Sequence, residues 1–181
     1  MTTRRKIVLE TEWFSVEVLE SRPEWNIGDR PYYRMLCPDS VAVLPVTADG
    51  KILMVRQFRP ARSRTTIEIP AGAIDGAETP LEAAHRELLE ETGHVAETIF
   101  FLGKGGLNLS RESAWVHAYV AFGVRPRVDA ARRDQGIEVV VFSFAEFNRI
   151  VQAGSFEQLS ALGVVAMAKA KFPDVLGPLL S

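Results

Sequence analysis

Glutamates crowd one short run of this chain. Between Gly72 and Gly93 the sequence reads GAIDGAETPLEAAHRELLEETG, with Glu78 upstream and Glu87, Glu90 and Glu91 close together. On a helix, at roughly 100° per residue, Glu87, Glu90 and Glu91 share one stripe. Like charges at these spacings repel by a few tenths of a kcal/mol per pair at exposed sites. Arg86, one turn before Glu90, offsets part of that. Clustered hard oxygen ligands suit Mg²⁺ or Mn²⁺, which favour carboxylates and keep coordination places for phosphate or water. Read from charge alone, the alternative is a solvated acidic helix face.

The elements that must position these groups follow from local chemistry. Thr79 is a good N-cap, Pro80 suits the first helical position, and Glu82 completes a Thr-x-x-Glu capping box. Gly93 supplies the left-handed stop. Leu81, Ala84 and Leu88 share a second stripe, expected to pack on a core while the acidic stripe turns away from it.

Other charged residues lie just before this helix, in Met54-Val-Arg-Gln-Phe-Arg-Pro-Ala61 and Ile67-Glu-Ile-Pro-Ala-Gly72. A guanidinium offers paired donors to phosphate oxygens, so Arg56 and Arg59 are candidate diphosphate clamps. A surface ion pair is the alternative, for Arg59 one with Glu68. Glu68 itself suits a ribose hydroxyl or an adenine amino group. Gly103-Lys104-Gly105-Gly106 lacks the Gly-Lys-Ser/Thr order of a phosphate loop. His85, His94 and His117 lack zinc-ligand spacing, and Cys37 has no histidine nearby in sequence.

The spacing as a whole resembles the Nudix box: Gly72, five residues, Glu78, seven residues, then Arg86-Glu87-Leu88-x-Glu90-Glu91-x-Gly93. One position departs, His94 standing where a hydrophobic residue usually follows the last glycine, and Val95 can take its packing role. Upstream, Gln57-Phe-Arg-Pro60 followed by Glu68-Ile-Pro-Ala-Gly72 is similar to the ADP-ribose pyrophosphatase branch of that family. The resemblance implies an α/β/α sandwich and a metal-dependent hydrolase that splits a nucleoside diphosphate sugar. It assigns Mg²⁺ or Mn²⁺ to Glu87, Glu90, Glu91 and the carbonyl of Ala71, catalysis to Glu90 and Glu91 with Arg86 orienting them, and substrate binding to Arg56, Arg59 and Glu68. Other diphosphate substrates, such as GDP-mannose or a dinucleoside polyphosphate, keep the same chemistry, and a nucleotide-binding sensor keeps only the fold. The branch also builds homodimers through N-terminal strands exchanged between subunits. It often has a proline about sixteen residues past the box, where this chain reads Gly105-Gly-Leu-Asn-Leu-Ser-Arg111. It often carries glutamates in the loop that here holds Asp129 and Asp134. Asp134, Glu138 and Glu112 are the base candidates that remain.

The rest of the chain bounds the reading. At 181 residues, 47% hydrophobic and 24% charged, it suits one main globular domain with a sizeable core. A net charge of -2 argues against nucleic-acid binding by bulk charge. The single cysteine excludes an internal disulfide and fits a reducing, cytoplasmic setting. No apolar run reaches membrane-spanning length, and the N-terminus lacks the apolar core of a signal peptide. Alternation predicts one or two strands over residues 5 to 20, a turn-rich connection to Pro31, and strands at 41–46, 51–58, 67–70, 97–102, 114–122 and 137–144. Asp49-Gly50 is a hairpin signal. Two late helices follow, one capped by Ser143, the other by Ser155 with Leu159, Leu162, Val165 and Met167 inward. The expectation is an α+β fold with a mixed sheet: residues 1–36 as an N-terminal β segment that forms a dimer, residues 37–181 as the hydrolase domain. Trp13 and Trp25 are large apolar residues in a segment too thin to bury them alone.

Overall fold

A computed structural model describes residues 5–20, 25, 28, 30–127 and 136–180. These fall into two compact units. One combines the chain before Ser40 with Gly105–Val116, and the other holds Ser40–Lys104 and the chain from His117 onward.

The smaller unit is a three-stranded antiparallel sheet of β1 (Arg5–Glu10), β2 (Ser15–Leu19) and β3 (Tyr32–Leu36), with β2 in the middle. Glu17 faces Arg34 across β2 and β3 and is 2% exposed. Arg34 Nε donates to it at 2.6 Å, which supplies the partner a buried carboxylate needs. The outer edge of β3 is covered by the chain around Arg111: Met35 N–H donates to Arg111 O and Ser113 N–H to Met35 O. Trp25 packs on Tyr32, their ring centres 5.7 Å apart, and the Arg111 guanidinium lies over the Tyr32 ring at 4.6 Å. Trp13 stays 79% exposed.

The larger unit is built on an eight-stranded mixed sheet. Its strands are β4 (Ser40–Thr47), β5 (Lys51–Arg59), β6 (Arg64–Glu68), β7 (Ala71–Ala73), β8 (His94–Val95), β9 (Thr98–Gly105), β10 (Val116–Pro126) and β11 (Ile137–Ser143). The main path runs β11-β5-β4-β10-β8, with β6 on β5, β7 on β4 and β9 on β10. The helices are α1 (Pro80–Thr92), α2 (Phe144–Gln152), α3 (Leu159–Lys171) and the short α4 (Pro173–Leu176). Val41 and Val43 of β4 pack with Ala83, Ala84 and Leu88 of α1. Strand alternation turns Ala42 and Leu44 to the opposite face, and α3 packs on β4. A sheet covered by helices on both faces explains why β4 reads as a nearly unbroken apolar run. The expected α+β fold, a sandwich of helices on both faces of the sheet, holds.

Local details differ from the sequence reading. The strand expected at 67–70 is two strands, β6 and β7, separated by Ile69 and Pro70, because Pro70 has no N–H to continue a ladder. Ser143 caps α2 as expected, with Glu146 completing a capping box. Ser155 does not cap α3, whose N-cap is Gln158. The buried face of α3 is Ala161, Val164, Val165 and Ala168, whereas Leu159 and Met167 are exposed. Small residues let this helix lie close to the sheet, and its larger apolar side chains point outward. No helix among the described residues is long and apolar enough to cross a membrane.

Candidate active site

Helix α1 begins as its sequence requires. Thr79 Oγ1 accepts from Glu82 N–H, and Thr79 N–H donates to Glu82 Oε2 at 2.7 Å. Gly93 ends the helix at φ +71°, a value that costs a side-chain-bearing residue steric strain.

The buried face of α1 is wider than the apolar stripe, and it is rotated. Ala83, Ala84, Glu87, Leu88, Glu91 and Thr92 are buried, while Leu81 is exposed. Glu87 and Glu91 therefore do not look out into solvent, and Glu90, with a 46% exposed side chain, lies further out. Strand β7 is the cause. Ala71 N–H donates to Glu91 Oε2 at 3.1 Å. At Gly72 the Glu87 carboxylate lies so close that an added Cβ would meet its Oε1 at 2.0 Å. The glycine is a cradle for that carboxylate.

Arg86 ties the cluster together. Its Nε and Nη2 donate to the two oxygens of Glu78 at 3.1 and 2.6 Å. Nη1 reaches Glu87 at 2.7 Å and Glu90 at 3.1 Å, and Nη2 also donates to Ala73 O at 2.8 Å. The hydrogen bonds to Glu78 lead in raising the guanidinium pKa above its ordinary value, so Arg86 is a permanent cation here. Arg86 in turn holds the Glu78 carboxyl below its usual range, helped by Asp75 N–H, which donates to Glu78 Oε1 at 2.7 Å. Glu78 thus shapes the turn before α1 and anchors Arg86.

A second cluster sits on β5 and β6. Arg59 Nε and Nη2 donate to Glu68 at 2.8 and 2.6 Å, and Thr66 Oγ1 donates to Glu68 Oε1 at 2.6 Å. Burial pushes the Glu68 carboxyl up, but the bonds from Arg59 and Thr66 outweigh it and leave the group below its ordinary value. The Arg59 guanidinium is raised, chiefly by Glu68, and Glu91 adds an attraction of its own, which places the two clusters within electrostatic reach. The ion pair named from sequence as the alternative role of Arg59 is therefore present. Arg56 is not brought to this group. It stands opposite Glu138 in the β5–β11 ladder and donates to it at 2.9 Å.

The donor set suits a hard cation: buried carboxylates under a carbonyl-bearing strand, with only oxygen atoms on offer. As the side chains lie, no three His, Cys, Asp or Glu among the described residues enclose a metal position. Arg86 occupies oxygens of Glu87 and Glu90, so a cation there competes with its guanidinium. Sequence reasoning missed Thr66 on Glu68, two residues away on one strand, and the parts that reach across longer separations: Ala73 O on Arg86, and Gln158, whose Oε1 accepts from Ile69 N–H at 2.9 Å. No spacing rule signals contacts of that kind. Asp129 and Asp134 lie outside the described residues, Glu138 is paired with Arg56, and Glu112 belongs to the smaller unit.

This geometry agrees with comparisons to known proteins. A Bacillus subtilis protein named ADP-ribose pyrophosphatase is 53% identical over 62 residues, covering 34% of this chain and 34% of its own. A Bacillus methanolicus protein named methanol dehydrogenase activator is 37% identical over 98 residues, 54% of this chain and 53% of its own. The chain thus spans between about a third and about half of the length of these curated relatives. A crystal structure of an ADP compounds hydrolase superposes with a TM-score of 0.79 at 23% identity, covering 96% of this chain and 94% of that one, and so shares the fold. The family model described as NUDIX domain matches residues 38–162, a span that holds α1, its glutamates and the strands that bury them, and the chain belongs to the Nudix family.

Proposed function

We propose that this chain is a divalent-metal-dependent hydrolase that cleaves the diphosphate bond of ADP-ribose or a related nucleoside diphosphate sugar, releasing a nucleoside monophosphate and a sugar phosphate. Its family and the name of its Bacillus subtilis relative support the reading. The observation that carries it is the burial of Glu87 and Glu91 against β7, with Arg86 bridging Glu78, Glu87 and Glu90. Isolated carboxylates are costly to bury, and a protein that keeps two of them beside a third has a use for the charge.

Mg²⁺ or Mn²⁺, when bound, offsets the charge on the diphosphate and makes a water molecule more acidic. Glu87, Glu91 and the Ala71 carbonyl would hold it, with Glu90 as a further ligand or as the group that takes the water's proton. Glu90 is suited to that task because its side chain is the more exposed. The water oxygen attacks one phosphorus, the bridging P–O bond breaks, and the bridging oxygen leaves with the other phosphate. Arg86 keeps Glu87 and Glu90 in register. Arg59, with a 42% exposed side chain, grips the diphosphate, and Glu68 then accepts from a hydroxyl or amino group of the substrate. Arg56 joins the grip by leaving its exposed pair with Glu138. We further read the chain as a cytoplasmic homodimer joined through its N-terminal strands, residues 1–36 serving assembly and 37–181 catalysis.

The test is a substrate panel with and without Mg²⁺: ADP-ribose, GDP-mannose and dinucleoside polyphosphates, with phosphatase-coupled release of phosphate as readout. Metal-dependent release with ADP-ribose is expected. Tight ADP-ribose binding with no product at high Mg²⁺ would make the chain a sensor instead.

A further inference from the structure

Ile69 and Pro70 lie between two ladders. β6 pairs with β5 as far as Glu68, opposite Val55, and β7 pairs with β4 from Ala71, opposite Ala42. Pro70 needs no acceptor, and its carbonyl takes Val43 N–H at 2.9 Å. Ile69 is 1% exposed, so its N–H must find a partner inside the protein. That partner is Gln158 Oε1, 2.9 Å away and 89 residues along the chain.

Gln158 is the N-cap residue of α3, yet its side chain makes no cap bond to its own helix. Ser, Thr, Asp and Asn are the residues that cap well, since their short side chains turn back onto the first N–H groups. A glutamine at this place is poorly explained by capping and well explained by its reach to Ile69. The same connection is held a second time by an ion pair between Glu157 and Arg64 of β6. One tie ends on the residue that follows Glu68, the other at the start of the strand that carries it. Gln158, Glu68, Thr66 and Arg59 also line one cavity of about 580 Å³.

We propose that Gln158 is a positioning residue for the Glu68–Ala71 segment. This rests on the function proposed above, in which Glu68 contacts substrate and the Ala71 carbonyl holds the cation. Glu68 precedes Ile69 directly, and two residues beyond it Ala71 N–H holds Glu91. The Gln158 bond therefore sets the backbone from which both clusters are hung. Misplacement of about 1 Å at such a site costs about a hundredfold in rate.

The test compares Gln158→Leu, which removes the acceptor, Gln158→Glu, which keeps an acceptor oxygen, and Asn148→Leu as a stability control. Asn148 ties Pro178 and Leu180 near the end of the chain and has no part in the proposed function. Four quantities are read: kcat and KM with ADP-ribose and Mg²⁺, Mn²⁺ affinity by electron paramagnetic resonance, Ile69 amide exchange, and melting temperature. Gln158→Leu is expected to lower kcat about tenfold or more, weaken Mn²⁺ binding and speed Ile69 exchange. Gln158→Glu should recover most of kcat. Asn148→Leu should lose melting temperature with kcat and Mn²⁺ affinity intact. Unchanged kcat and Mn²⁺ affinity in Gln158→Leu, or equal losses in Asn148→Leu, would overturn the assignment. Should Gln158→Leu fail to fold, Gln158→Ala, which leaves room for a water at Ile69 N–H, carries the same comparison. A wild-type protein that neither binds Mn²⁺ nor turns over ADP-ribose refutes the proposed function instead, and is told apart by its own blank result.

Discussion

Glu91 and Glu68 are both buried carboxylates, but they answer to different partners. Glu91 takes a backbone N–H from Ala71. Gln in its place keeps an amide oxygen for that bond while losing the charge a cation needs. Glu91→Gln should therefore cut turnover by about two orders of magnitude or more and move the melting temperature little, measured by kinetics and thermal melts on one preparation. Surviving activity would remove Glu91 from the metal set. Glu68 is held by Arg59 and Thr66, and its pKa lies below the ordinary 4.5. A depressed carboxyl adds stability that is present above the unfolded pKa and disappears as pH falls through the folded one. Glu68→Gln should thus cost roughly 1 kcal/mol at pH 7, a figure reduced for the solvent around Arg59. That difference should vanish on acidification below 4.5, as denaturant melts at several pH values would show. A constant difference across pH would mean that the charge of Glu68 is not what matters.

At the scale of the element, α1 and β7 act as one device. The helix brings carboxylates in, and the strand lets them lie flat against it because Gly72 has no side chain. Its φ is not in the left-handed region, so alanine is tolerated by the backbone there. What an alanine displaces is the end of the flexible Glu87 side chain. Gly72→Ala is therefore expected to reduce kcat about tenfold or more and weaken Mn²⁺ binding, while the melting temperature falls by only a few degrees. A large melting change with normal kcat per folded molecule would show that Gly72 serves packing alone. The helix itself was readable from its sequence, since the cap at Thr79, the proline after it and the stop at Gly93 are local signals that tertiary contacts had no reason to override. Which residues it buries was not readable. Periodicity groups residues by angle but cannot tell that a strand lies over the acidic side, so Leu81 ends exposed and Glu87 buried.

For the whole molecule, the smaller unit poses the open assembly question. β1 is an edge strand whose six residues are all exposed, with Ile7, Val8 and Leu9 at 46%, 48% and 48%. An exposed apolar edge of this kind is a template for pairing unless something covers it. If a second copy does so, light scattering should give twice the mass of 20.1 kDa, and Ile7→Lys with Leu9→Lys should shift the protein to monomer. A wild-type monomer across micromolar concentrations would end that reading.

The sequence by itself determined the fold class, the acidic helix with both its ends, and the family, because those rest on short-range chemistry: caps, glycine turns and fixed spacings along one element. Only the tertiary structure decided that Arg86 gathers Glu78, Glu87 and Glu90, that Arg59 is bound to Glu68 while Arg56 goes to Glu138, and that Gln158 closes the gap at Ile69. Those pairings depend on which strands and helices come to lie side by side. A guanidinium or a buried N–H takes whichever acceptor the folded chain delivers, and distance along the sequence carries no record of that choice.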